Sequence, residues 1–141
     1  MCGTPADGSV VTIDRNLTTN VTQVRNALSS RTTSVWYGNT DIETGLQTGI
    51  DVLANARTGS RKVIILLTDG QYTEASPVPL GTVAAAEGII VHTITFGDYA
   101  NQTDMQAIAA ATNGMHLHAP DATTLTNSFK KLASLMAILI Q

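Results

Sequence analysis

The segment Arg61 to Gly70, RKVIILLTDG, constrains this chain more than any other. Five consecutive aliphatic residues, Val63 to Leu67, lie between a basic pair and a polar turn. An uninterrupted apolar run of this length, β-branched at its start, reads as a strand buried on both faces, the pattern of a parallel sheet covered by helices. The strand is expected to end at Thr68, leaving Asp69 and Gly70 just past its carboxyl end. In open α/β sheets that rim is where ligands bind. A carboxylate placed there is either the opening of an Asp-Gly turn or a ligand-binding group.

The rest of the chain fits the same architecture. Ile42, Leu46, Ile50 and Leu53 recur at helical spacing, with Gly59 as a stop. Thr40-Asp41-Ile42-Glu43 matches a capping box with Thr40 as the N-cap. Gly45 and Gly49 share a face of that helix and suggest a close approach to the sheet, since glycine otherwise weakens a helix. A short Ala-rich helix near Gly81 to Glu87, a strand Ile89 to Phe96, a helix Asp104 to Ala111 and a short strand Met115 to His118 follow. Asp121 or Thr123 caps a final helix with Leu125, Phe129, Leu132 and Met136 on one stripe. Before Thr40, Val10 to Ile13 reads as a short strand, and Val21, Val24 and Leu28 predict a buried helical stripe over Val21 to Ser29. Strand and helix alternate from Thr40 onward, which implies right-handed crossovers and a three-layer α/β fold with a mainly parallel sheet.

At 141 residues the chain suffices for one domain, 1–141, with an irregular segment over 1–9. The formal charge of −3 and the scattered lysines, Lys62, Lys130 and Lys131, offer no basic face for a nucleic acid backbone. Cys2 is the only cysteine, so neither an internal disulfide nor a Cys-based metal cluster is available. The opening MCGTPADGSV has no signal-peptide pattern, and the apolar run Leu135 to Ile140 is far short of a membrane span. Nothing resembles a nucleophile elbow or a phosphate-binding loop, so no enzymatic activity is expected.

Gly38-Asn39-Thr40 opening an amphipathic helix, then KVIILLTDG, then a helix, then GIIVHTITFGD, together resemble the later two-thirds of a von Willebrand factor A domain. The closing run MHLHAPDATTLTNSFKKLASLMAILIQ is similar to the A-type domains of TadG-like proteins of bacterial tight-adherence pilus systems. The resemblance implies a Rossmann-like αβα fold and a metal-ion-dependent adhesion site on the sheet's carboxyl rim. There a divalent cation, usually magnesium, is held by oxygen ligands and accepts a carboxylate from a protein partner. Carried over residue by residue, Thr40 is the threonine ligand and Asp69 the aspartate ligand.

The family's D-x-S-x-S motif and the apolar strand before it have no counterpart. Asp7-Gly8-Ser9 offers D-x-S, but Val11 stands at the third position and a strand, not a helix, follows. The reading is therefore an N-terminally truncated domain with an incomplete site that binds magnesium weakly or not at all. Lacking the neighbour that the family places beside Val63–Leu67, the chain is expected to expose a sheet edge and to self-associate. The implied role is a protein-binding or adhesion module of the bacterial cell envelope or exterior, membrane-anchored in its full-length form. The alternative is an accessory subunit scaffolding an AAA-type ATPase or chelatase.

Several residues have simpler readings. Asp41 is a helix-start charge and Glu74 a solvated loop acid. His116 and His118 share a strand face, with His92 as the one further candidate for a zinc site, and surface histidines are the expectation. Trp36 and Tyr37, before Thr40, read as core cover.

Overall fold

The computed structural model describes residues 2–3, 11–31, 40–71 and 75–138. Val10, Trp36, Tyr37, Glu74 and the Asp7-Gly8-Ser9 run lie outside these residues. The central sheet has three strands in the order β3-β4-β5, with β3 at Lys62–Thr68, β4 at Ile89–Phe96 and β5 at His116–Ala119. All are parallel, in a register pairing Lys62 with Ile89 through Thr68 with Thr95, and Thr93 with His116 through Phe96 with Ala119. A separate antiparallel pair joins β1 at Cys2–Gly3 to β2 at Thr12–Ile13. The opening residues were expected to be irregular; Cys2–Gly3 is a strand because pairing with β2 overrides its weak local preference.

Helices cover both faces of the sheet. On one side α2 at Ile42–Ala54, α3 at Val78–Ala86 and α4 at Gln102–Ala111 pack Ile42, Leu46, Ile50, Ala84, Met105 and Ile108 against Ile89 and Val91. On the other, α5 at Ala122–Ile138 packs Leu132 against Ile94 and Ala119, with Ile65 and Leu117 beside them. Strand alternation divides β3 between the layers. Ile64 and Leu66 join the first cluster and Ile65 the second. The three-layer α/β arrangement with a parallel sheet is the one the alternating pattern predicts.

Two elements differ from expectation. Helix α1, Val21–Arg31, forms as predicted, but its apolar stripe is not buried: Val21 is 69%, Val24 41% and Leu28 47% exposed. Helical spacing states which residues share a face, not that anything covers it. Strand β3 sends residues into both helical layers, but its five aliphatic residues are only partly buried, and Leu67 at its end is 46% exposed.

The paired glycines of α2 behave differently from one another. A Cβ on Gly49 would sit 3.3 Å from Ile64 Cδ1, so that glycine does bring the helix close to β3, whereas Gly45 has nothing within 4 Å. The tightest approach is elsewhere. A Cβ on Gly114, in the turn from α4 to β5, would lie 1.9 Å from the Val91 carbonyl oxygen. The left-handed residue of that turn is Asn113, at φ 55°, and the Gly114 N–H closes the helix end on the Ala109 carbonyl at 2.8 Å.

Gly114→Ala therefore has to displace backbone and is expected to destabilise by about 3 kcal/mol. Gly45→Ala adds a helix-favouring methyl in open space and is expected to gain about 0.5–1 kcal/mol. Urea unfolding of both variants checks the pair.

Candidate functional site

The carboxyl ends of β3 and β4 form the rim on which the candidate site sits. Thr68 closes β3 and is 6% exposed, and Asp69 beyond it is exposed. The Gly70 N–H lies 3.4 Å from Thr68 Oγ1, shaping the turn. Gln71 reaches across to the loop after β4, its Nε2 donating to the Tyr99 carbonyl at 2.6 Å.

Thr40 reaches the same rim from the start of α2. Its Oγ1 would be 3.2 Å from a Cβ on Gly70, so the hydroxyl rests against the residue next to Asp69. The structure thus places the Thr40 hydroxyl beside the turn that follows Asp69. It also corrects the capping box. Asp41, not Thr40, is the N-cap of α2, its Oδ1 accepting the Thr44 N–H at 2.9 Å. A carboxylate at this position satisfies an orphan N–H and favours the positive end of the helix. That relieves the Thr40 hydroxyl of the capping role.

A hydroxyl and a carboxylate are hard oxygen donors and suit a divalent cation such as magnesium in kind. In number they fall short. Among the described residues no group of three or more His, Cys, Asp or Glu side chains is placed to hold a metal. Two donors leave most positions to water or to a partner, which fits a weak site.

The histidines lie elsewhere and are not the surface residues expected. His92 Nδ1 accepts the Met115 N–H at 3.0 Å, so it is engaged in fixing the entry to β5. His116 Nδ1 lies 3.0 Å from Thr93 Oγ1, and that hydroxyl donates to the Met105 carbonyl at 2.9 Å. Thr93 must then accept from His116, leaving a bare, buried Nε2 with no partner among the described residues. His118 Nδ1 pairs similarly with Thr95 Oγ1 at 3.1 Å. The H-x-H pair is tied to threonines of β4, and His92 sits on the opposite strand face from Thr93 and Thr95. Sequence reasoning missed these threonine–histidine pairs, because a threonine in a strand needs no partner to be explained.

The chain matches the von Willebrand factor type A domain family over residues 7–131 and belongs to that family. It is 34% identical over 103 residues to the uncharacterized protein sll0103 of Synechocystis sp., a match covering 71% of this chain and 24% of that protein. Proximal thread matrix protein 1 from the mussel byssus, solved with a zinc-occupied MIDAS motif, superimposes with a TM-score of 0.70 at 23% identity over 89% of this chain and 33% of that one. An aerotolerance-related membrane protein from Bacteroides fragilis gives 0.65 at 15% identity, covering 86% and 72%. The chain spans about a quarter to a third of the length of the first two. The structural likenesses establish the fold. No described helix is long and apolar enough to cross a membrane.

Burial lowers the pKa of His92; burial first, and then the charge of His118, lowers that of His116. Both favour the neutral ring in the folded state. As pH falls below about 6.5 the unfolded chain takes up protons first. Stability is accordingly full above that pH and declines below it. The urea midpoint is expected to drop between pH 7.5 and 5.5, and to drop less in His116→Asn.

Proposed function

We propose that this domain is a non-enzymatic protein-binding module that engages a partner at the β3–β4 rim, with Asp69 and Thr40 as its recognition groups. The observation carrying this reading is the contact of the Thr40 hydroxyl with Gly70, beside an exposed Asp69 carboxylate, at the strand ends where α/β sheets bind ligands. Membership of the von Willebrand factor type A family supports a role in protein recognition. The similarity of the closing run to TadG-like proteins supports a place in the bacterial cell envelope, within a larger, membrane-anchored polypeptide.

A divalent cation, magnesium by resemblance, would be held here by the Asp69 carboxylate and the Thr40 hydroxyl. When bound it supplies a positive centre with positions open to a carboxylate of the partner. Asp69 provides the charge that attracts the cation. Thr40 adds a neutral oxygen from a second element, so binding ties the start of α2 to the end of β3. Gly70 gives the hydroxyl its room, and Gln71 holds the flanking loop to its neighbour.

Calorimetric titration with magnesium and with manganese tests this. Saturable binding in the millimolar range is expected, weakened about tenfold or more by Asp69→Asn. Gly70→Ala, whose methyl would crowd Thr40, is expected to weaken binding while moving the unfolding midpoint little. Cation binding indifferent to Asp69 would refute the assignment.

A further inference from the structure

The ring nitrogens of the histidines on β4 and β5 are not equivalent. His92 Nδ1 accepts the Met115 N–H at 3.0 Å, so the proton of the neutral ring resides on Nε2. Neither of its nitrogens then has a lone pair to offer. His116 is the reverse. Thr93 Oγ1 gives its proton to the Met105 carbonyl at 2.9 Å, so it receives the His116 Nδ1–H at 3.0 Å. The His116 Nε2 is left as a bare lone pair, buried and without a partner among the described residues. A buried acceptor without a donor is destabilising, and its persistence calls for an explanation.

His118 lies two residues further along β5, on the same strand face. Thr95 Oγ1 stands to its Nδ1, at 3.1 Å, as Thr93 Oγ1 stands to that of His116. The β4–β5 register pairs Thr93 with His116 and Thr95 with His118, so one threonine of β4 orients each ring. The rings spring from Cα atoms about 6.6 Å apart. They are close enough for a charge on His118 to disfavour one on His116. Both residues are half-buried, so the pair lies at the margin of the core and not inside it.

We propose that His116 and His118 form a two-histidine site for a divalent transition metal such as zinc, bound through their Nε2 atoms and separate from the Asp69 rim. Metal-ligating histidines characteristically donate their second ring N–H to a fixed acceptor, which sets the tautomer and aims the ligating nitrogen. Thr93 does this for His116, and cannot reverse its role because its own proton is committed to Met105. Imidazole suits zinc, nickel and copper, whereas magnesium prefers oxygen. Zinc–nitrogen bonds of about 2.0–2.1 Å draw the two Nε2 atoms together by a tilt of the rings about their threonine anchors. Among the described residues no third His, Cys, Asp or Glu completes the group, so water fills the remaining positions and the ion exchanges readily. His92, on the opposite face and with its Nε2 protonated, stays out of the site. Strand β4 separates the pair from β3 and from the Asp69 that follows it.

Zinc chloride titrated into the nitrogen-15-labelled chain tests the proposal, with the imidazole nitrogens followed by long-range proton–nitrogen correlation. Before metal, His116 is expected to carry its proton on Nδ1 and His92 on Nε2. Zinc is expected to shift the Nε2 signals of His116 and His118 together and saturably, and to leave those of His92 in place. The same shifts are expected in Asp69→Asn, which removes the rim carboxylate. Calorimetry in that background is expected to show zinc affinity falling about tenfold or more in His118→Ala. Circular dichroism checks the fold, and should His118→Ala not fold, the nitrogen titration decides alone. A proton found on His116 Nε2 overturns the proposal, as do His116 or His118 signals that zinc leaves unmoved. So do shifts that vanish in Asp69→Asn, or zinc affinity that a folded His118→Ala leaves unchanged.

Discussion

The parallel pairing of β3 with β4, in register from Lys62–Ile89 to Thr68–Thr95, is the constraint on which the rest depends. It brings both strands to an end at the same level, so the loops that follow emerge on one rim. It also sets the side-chain alternation that sends Ile64 and Leu66 to one helical layer and Ile65 to the other. Packing of α2 on the first of these layers then carries its own first turn, and Thr40 with it, to the end of β3. The candidate site is a by-product of strand register plus one helix position.

Much of this was legible in the sequence because each element carries a strong local pattern. The aliphatic runs of β3 and β4 and the helical spacing of Ile42, Leu46 and Ile50 leave little choice of element type. Strict alternation of strand and helix leaves little choice of sheet. What could not be read was anything decided by a competitor or by a neighbour. Thr40 and Asp41 are both good caps, and only the observed Asp41–Thr44 bond separates them. The stripe on α1 has helical spacing as that on α2 does, yet Val21, Val24 and Leu28 stay exposed while Ile42, Leu46 and Ile50 are buried. The bonds of His92, His116 and His118 join residues 23 positions apart, beyond the reach of any local pattern.

The bond from Gln71 to the Tyr99 carbonyl spans 28 residues of sequence and straps together the two loops that leave the sheet side by side. Its consequence is mechanical. Tyr99 lies just ahead of Asn101, which caps α4, so a pull on the chain beyond β3 passes into the anchoring of that helix instead of dissipating in a slack loop. A tug on one lip of the rim is felt by the layer beneath it.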